Sequence, residues 1–324
     1  MVACFVKLEE QKFPKSSFLI CDTAVEEKGK KLHLPYLSLT GGEKIKSPQM
    51  VESLIHTLFI HGCDRKTALI AMGGGTLLDL VGFIASIYMR GIPLFYIPTT
   101  LLAMVDAAIG GKTAINTSFS KNLLGSFYPP HKTYIDLSLL DTLPEKEWKN
   151  GKVEIDKLGL VYDPSLWEET DQKRLIQKAI LGKKAIVKKD PYDRGIRRIL
   201  NFGHTIGHAL ESLSHYTMSH GEAVATGCLI ESHLSASLGY LPQEALKQIL
   251  CRFSLRLPEE YTREKLLNAI QKDKKNEGGK IHFIIIDKIG HTVPFLGTYC
   301  RDVSIEELTP TLDWMEGICW QYTK

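Results

Sequence analysis

The chain lacks most of the features that place a sequence in a special class. Its seven cysteines, at positions 4, 21, 63, 228, 251, 300 and 319, stand singly in 324 residues, and none forms a Cys-x-x-Cys pair. Neither a disulfide framework nor a cysteine-built zinc site is indicated. No run approaches the roughly 18 apolar residues of a membrane span. The opening residues carry Lys7, Glu9 and Glu10 where a secretory signal needs an apolar core. Excess charge is also scarce: 40 Lys and Arg against 37 Asp and Glu leave a formal +3, too little to advertise nucleic-acid or membrane binding. Repeats and low-complexity stretches are missing too. What remains is a cytoplasmic protein of a reducing compartment, long enough for two domains with their own cores.

What is present falls into two textures. Up to about residue 140, short apolar runs alternate with helical periodicity. Strands are expected at 18–22, 34–39, 67–72, 92–97 and 134–136, and helices at 49–60, 77–89 and 101–109. That alternation predicts a parallel sheet covered on both faces. From about 141 onward helical periodicity dominates, over 145–158, 172–188, 196–213, 221–238, 242–251 and 262–272. Gly278-Gly279 then introduces 281–286 and 292–296 as an expected hairpin. The reading is an α/β fold: an N-terminal parallel-sheet nucleotide-binding domain (1–140) and a C-terminal mainly α-helical domain (141–324), with a cleft between them.

The second half contains Asn201-Phe202-Gly203-His204-Thr205-Ile206-Gly207-His208, and further on Ser219-His220-Gly221-Glu222. His204 and His208 are four apart, so a helix puts both imidazoles on one face. His220 precedes another expected helix. Three imidazoles from two neighbouring helices could converge on a metal ion; the plainer alternative is histidines satisfied within a core. Gly203 and Gly207 allow a close neighbour. Thr205 stands where a zinc peptidase carries its glutamate, which speaks against that chemistry. His215 is read as a loop residue.

In the first half, Gly73-Gly74-Gly75-Thr76 lies between a strand and a helix, a place where backbone N–H groups can meet a pyrophosphate. A tight turn alone would also use glycine. Asp79 follows in the first helical turn. Lys112 and Lys121 could converge with Arg90 on an anionic ligand, although each taken alone reads as a solvated charge. Lys183 and Arg197 flank the histidine segment, and Asp273-Lys274-Lys275 could be merely a charged helix end.

These blocks, in their order, resemble the 3-dehydroquinate synthase family of sugar-phosphate cyclases over nearly the whole chain. The resemblance is carried by Gly42-Glu43 with Lys46, Gly73-Gly74-Gly75 with Asp79, Tyr88-Met89-Arg90-Gly91 and Pro98-Thr99-Thr100-Leu101-Leu102-Ala103. It continues through Val105-Asp106, Gly110-Gly111-Lys112-Thr113, Ser120-Lys121-Asn122, Asp141-Thr142-Leu143-Pro144 and the histidine segments. It implies an NAD-binding, Rossmann-like domain joined to a helical metal domain, with zinc or cobalt held by Glu154, His204 and His220. Three protein ligands leave positions open, the pattern of a catalytic site. The resemblance moves His208 from the metal to the substrate, as a proton-transfer group.

For NAD it implies Asp22, Glu43, Lys46, Gly73, Gly74, Gly75, Asp79, Thr99, Thr100, Lys112, Lys121, Asn122 and Thr142. For substrate and catalysis it implies Arg90, Asp106, Lys112, Lys157, Lys183, Arg197, Asn201, His208 and Lys274. The chain departs from the family in four places. Around the glutamate ligand it reads Val153-Glu154-Ile155-Asp156-Lys157-Leu158-Gly159, with Asp156 where the family has an apolar residue. Ser120 replaces a glycine. The opening strand and helix are expected to be shortened or absent, and the segment between Asp163 and Lys183 is brief.

The implied activity is conversion of 3-deoxy-D-arabino-heptulosonate 7-phosphate to 3-dehydroquinate and phosphate in the shikimate pathway. It proceeds by NAD-mediated oxidation, β-elimination of phosphate, reduction, ring opening and aldol closure, in a homodimer acting on a small sugar phosphate, with neither nucleic acid nor membrane as partner. Two alternatives remain open. One is a related cyclase or an NAD- and metal-dependent polyol dehydrogenase, whose neutral substrate gives so many cations nothing to bind. The other is a catalytically weak NAD-binding paralogue kept for a structural contact.

Overall fold

The computed structural model describes residues 2–271, 281–295 and 297–322, and the elements named here are those of the described residues. The chain divides into two compact units, Met1–Gly151 and Lys152–Lys324. Lys274 lies outside the described residues.

The first unit is built on a six-stranded sheet. Its strands are β1 (Val2–Phe5), β2 (Ser17–Asp22), β3 (Tyr36–Leu39), β4 (Ala68–Gly73), β5 (Leu94–Pro98) and β8 (Lys132–Ile135), in the spatial order β1-β8-β5-β4-β2-β3. Every pairing is parallel. Parallel strands lie beneath helices on both faces, so they read as unbroken apolar runs: all six residues of β4 are buried. The flanking helices are α1 (Glu26–Lys30), α2 (Pro48–Ile60) and α3 (Gly75–Ile87). Helix α2 starts cleanly because the Ser47 hydroxyl accepts the Met50 N–H at 3.2 Å and Pro48 occupies the first turn. It buries Val51, Leu54 and Leu58, a stripe at helical spacing, in a core shared with Leu77, Leu80, Val81 and Ile84 of α3.

The opening strand, expected to be shortened or absent, is β1, a four-residue edge strand beside β8. Two parts of this unit differ from the sequence reading. Helix α3 ends at Ile87, not Met89, because Met89 and Arg90 take positive φ values of 48° and 70°. The segment between the helix expected at 101–109 and the strand expected at 134–136, for which no element was expected, contains an antiparallel hairpin, β6 (Lys112–Ile115) with β7 (Leu124–Phe127). Its strands have four residues each, too few for a period-2 pattern to stand out.

The second unit is mainly helical. It takes most of α4 (Glu145–Val161), then α5 (Gln172–Lys189), α6 (His204–Leu213), α7 (His220–Ser237), α8 (Gln243–Leu250), α9 (Arg263–Gln271) and α10 (Ile305–Tyr322). Its core joins Ile206 and Leu210 of α6, Ile230 and Leu234 of α7, Leu266 and Ile270 of α9, and Leu308 and Leu312 of α10. The helix expected over 196–213 is broken. Residues Ile196–Asn201 form a 3-10 turn, and Gly203 at φ +79° separates it from α6.

The expected hairpin also resolves differently. Short strand β9 (Ile281–Phe283) pairs with β12 (Arg301–Val303), while β10 (Ile286–Lys288) pairs with β11 (His291–Thr292). Helix α10 was not foreseen, since Pro310 inside it interrupts the signal a helix normally gives. No described helix is long and apolar enough to cross a membrane.

Candidate active site

Each unit carries one cluster of candidate residues. In the first, β2, β4 and β5 end together at Asp22, Gly73 and Pro98, followed by Thr99 and Thr100. This carboxyl edge of a parallel sheet is where α/β folds bind ligands. The glycine turn is packed tightly at two of its three positions. A Cβ on Gly73 would stand 3.2 Å from that of Leu77 and one on Gly75 3.0 Å from Ala107 Cβ, whereas one on Gly74 would meet Thr100 Cγ2 at an ordinary 3.4 Å. Gly74 is the N-cap of α3 and offers its first-turn N–H groups no side-chain acceptor, which suits an external anion.

Beside the turn lies a polar network. The buried Lys46 ammonium donates to Asp79 Oδ2 at 2.9 Å and to Asn122 Oδ1 at 2.5 Å. Burial pushes the Asp79 carboxyl up, Lys46 opposes this, and Glu43 and Asp106 add to the negative surroundings. Asn116, in the hairpin loop, links Glu43 Oε1 (2.7 Å) to the Asn122 N–H (2.9 Å). Thus Glu43, Lys46, Asp79 and Asn122 form one connected group, with Asp106 close by.

Lys112 is exposed at the start of β6, Lys121 is half-buried in the loop before β7, and Thr142 is exposed after β8. Arg90 does not join the glycine turn within this unit. It is exposed at the opposite end of the 13-residue α3, roughly 20 Å along the helix axis from Gly75.

The second cluster lies in the helical unit. Glu154 comes from α4, His204 opens α6 and His220 opens α7. One donor atom from each lies within 4.8 Å of the other two. Nε2 of His204 stands 3.8 Å and Nε2 of His220 3.4 Å from Glu154 Oε1. The His220 approach is close but too poorly aligned for a hydrogen bond, so this buried oxygen has no hydrogen-bond partner. Its other oxygen receives the buried Lys157 ammonium at 2.5 Å, one helical turn on.

A buried carboxylate oxygen facing two imidazole nitrogens, with no hydrogen bond to satisfy it, fits a divalent cation. The donor set suits zinc or cobalt.

The electrostatics agree. Burial and then the Lys157 charge hold the His204 imidazole well below its ordinary pKa, so it is neutral. Burial, the largest influence on Glu154, would raise its pKa, but Lys157 and the histidines outweigh it and keep the carboxylate ionised. At His220 burial is outweighed in turn by Glu154 and Glu211, which lift it to about 10. An incoming cation must displace that proton.

The remaining candidates of this unit are Lys183 on α5, buried Arg197 and half-buried Asn201 on the 3-10 turn, and His208 on α6. The His208 ring stands perpendicular to that of His204, with centroids 5.1 Å apart. Glu211 was missed. Its Oε1 lies 3.5 Å from His220 Nδ1, the carboxylate partner that orients many ligating imidazoles. The pattern held a signal for it, since His204, His208 and Glu211 follow the i, i+4, i+7 spacing of one helix face.

A parallel α/β unit with a glycine turn at its carboxyl edge and a helical unit with a His-His-Glu donor set define a class: two-domain enzymes dependent on a dinucleotide and a divalent metal. Comparison with known proteins narrows this. Residues 36–150 match the family description "3-dehydroquinate synthase N-terminal", and residues 151–276 match "3-dehydroquinate synthase C-terminal". The 3-dehydroquinate synthase of Campylobacter concisus is 39% identical over 292 residues, 85% of this chain and 82% of that protein.

Two solved structures are similar throughout. One is 2-epi-5-epi-valiolone synthase from Streptomyces hygroscopicus with NAD+ and Zn2+ bound, 26% identical, with a TM-score of 0.86 over 97% of this chain and 96% of that one. The other is 2-deoxy-scyllo-inosose synthase complexed with carbaglucose-6-phosphate, NAD+ and Co2+, 25% identical, with a TM-score of 0.80 over 91% and 89%. The chain belongs to the 3-dehydroquinate synthase family.

Proposed function

We propose that this chain converts 3-deoxy-D-arabino-heptulosonate 7-phosphate to 3-dehydroquinate and inorganic phosphate, with NAD and zinc or cobalt as cofactors. Bound NAD would supply a hydride acceptor that returns the hydride within the same turnover, and the metal would supply a Lewis acid. Glu154, His204 and His220 would hold the metal. The glycine turn would hold the dinucleotide, with Asp22, Glu43, Lys46, Asp79, Thr99, Thr100, Lys112, Lys121, Asn122 and Thr142 around it.

The substrate carries a carboxylate and a phosphate, and Arg90, Lys112, Lys157, Lys183, Arg197 and Lys274 would pair with them. Asp106, Asn201 and His208 would bind hydroxyls, with His208 moving a proton between them and solvent. The reading assigns the cofactor to residues 1–140 and the metal to residues 141–324, in a cytoplasmic homodimer.

The observation that carries this reading is the match of residues 36–150 and 151–276 to the two 3-dehydroquinate synthase family descriptions, joined to the Glu154, His204 and His220 donor set. The test is phosphate release from the heptulosonate phosphate with sub-stoichiometric NAD and added zinc. Many turnovers per NAD, with no accumulation of NADH, are expected. NADH rising in step with substrate consumed would favour a polyol dehydrogenase and refute the reading.

A further inference from the structure

Helix α6 begins without a cap of its own. Its N-cap is Gly203, which has no side chain to accept a hydrogen bond, and the third residue of its first turn, Ile206, is apolar. In α7, by contrast, Ser219 and Glu222 serve each other's backbone N–H groups. For α6 the same two donors are served by one carboxylate from elsewhere. The Gly203 N–H donates to Glu231 Oε2 at 2.7 Å, and the Ile206 N–H donates to Glu231 Oε1 at 3.3 Å. Glu231 projects from α7 and is fully buried. A negative charge at this position is also favoured by the positive end of the α6 dipole.

The cap cannot be local, because no side chain fits at Gly203. A Cβ there would stand 2.6 Å from Cys228 Sγ and 2.9 Å from Cys228 N, and one on Gly227 would stand 1.9 Å from the Gly203 carbonyl oxygen. Gly227 and Glu231 lie four apart, on one face of α7. The first admits the backbone of α6, and the second bonds it.

The Gly203 N–H belongs to the same peptide group as the Phe202 carbonyl. That peptide is trans, so the two groups point in opposite directions. The carbonyl oxygen is 3.2 Å from His204 Nδ1. A carbonyl can only accept, so Nδ1 carries the hydrogen, and Nε2 keeps its lone pair toward Glu154.

We propose that Glu231 is a positioning residue for the metal site, acting on His204 through the Phe202–Gly203 peptide. Ligating histidines commonly donate their second N–H to a carboxylate or a backbone carbonyl. Here both are used in series: the carboxylate polarises the peptide, and the peptide carbonyl becomes a stronger acceptor for the imidazole. The arrangement sets the His204 tautomer and the direction of its lone pair.

This inference rests on the metal-site reading above, and the test separates the two. Cobalt(II) is added to the full-length protein and to Glu231→Gln, with affinity read by chelator competition and geometry read from the visible absorption bands. The wild type should bind cobalt. The variant should stay folded and bind NAD, yet bind cobalt about 10- to 100-fold more weakly, with displaced bands. Unchanged affinity and bands, even with a lowered melting temperature, would make Glu231 a helix cap only and overturn the proposal. A wild type that binds no cobalt would overturn the metal reading and this inference together. Should Glu231→Gln fail to fold, nitrogen-15 histidine spectra of the metal-free wild type decide: an Nδ1–H tautomer at His204 before any metal is added supports the relay, and an Nε2–H tautomer refutes it.

Discussion

Replacing Asp156 should weaken the helical unit and leave its chemistry intact. Asp156 is the charge that stands where the family has an apolar residue, two positions from Glu154 on α4. Two helical residues turn roughly 200°, so the side chains of Glu154 and Asp156 leave opposite sides of the helix, whereas Lys157 shares the face of Glu154. Away from the metal face, Asp156 Oδ1 accepts from Arg252 Nε at 2.9 Å, from Arg252 Nη2 at 2.7 Å and from Lys152 Nζ at 2.6 Å. The guanidinium lies 5.4 Å over the Trp167 ring, and the indole N–H donates to the Asp156 carbonyl at 2.8 Å. The acid has its own countercharges.

Hydrogen bonds to a charged group contribute about 1.5–3 kcal/mol. The Asp156 side chain is 10% exposed, but those of Arg252 and Lys152 are 31% and 38% exposed and regain water once the acid is gone. The loss in Asp156→Ala should therefore be about 2 kcal/mol, below the ~3–5 kcal/mol of a fully buried pair. Asp156→Leu combined with Arg252→Leu should recover most of it, because apolar replacement of both partners is often neutral. Urea unfolding followed by tryptophan fluorescence gives the double-mutant cycle. A coupling within about 0.5 kcal/mol of zero would refute the pairing. Loss of bound metal or of turnover in Asp156→Ala would refute the claim that its charge stays out of the site.

Two further outcomes are expected. His220→Ala should lose most bound zinc by elemental analysis, by more than the ~10–100-fold that losing an outer partner costs, while NAD still binds, since the glycine turn belongs to the other unit; unchanged metal content would refute the triad. Asp190 accepts the backbone N–H groups of Arg194, Gly195 and Arg197 at 3.0, 2.6 and 3.1 Å; burial would raise its pKa, but these bonds and the Arg197 charge outweigh it and lower it. A lowered native pKa gives stability that is present above the ordinary aspartate range and lost as pH falls through the native value. Asp190→Asn should thus cost on the order of 1 kcal/mol at neutral pH, and the gap in urea midpoint should narrow as the pH falls below the ordinary aspartate range; a gap that does not depend on pH would refute the assignment.

What could be read from the sequence was local. Buried parallel strands announce themselves as apolar runs, and β2, β4 and β5 fell where those runs lie. His204, His208 and Lys157 follow helical spacing, so the face each shares with its neighbours was visible without a structure. The hairpin of β6 and β7 was not, because four-residue strands carry too little pattern, and the break before α6 was hidden because Gly203 interrupts no apolar period. Glu154 came from family resemblance alone: one acid in a helix rich in charge has no local mark of a ligand.

The groups that sequence could not reveal share one property, which is that their partners lie far along the chain. Arg252 meets Asp156 across 96 residues, and Glu231 meets Gly203 across 28. Both are acid–base or acid–amide contacts made by an acid on a helix, and nothing in a helical period says which distant group an acid will meet. Burial makes them consequential, since an enclosed carboxylate without donors would destabilise the helix that carries it. In this unit each candidate metal ligand is backed by a charged group, whether near or far along the chain. Glu154 is held by Lys157, His220 faces Glu211, and His204 reaches Glu231 through one peptide. Of the three, only the His204 support passes through backbone. It therefore depends on there being no side chain at Gly203 and Gly227, and alanine at Gly227 should disturb His204 as surely as a change at Glu231 itself.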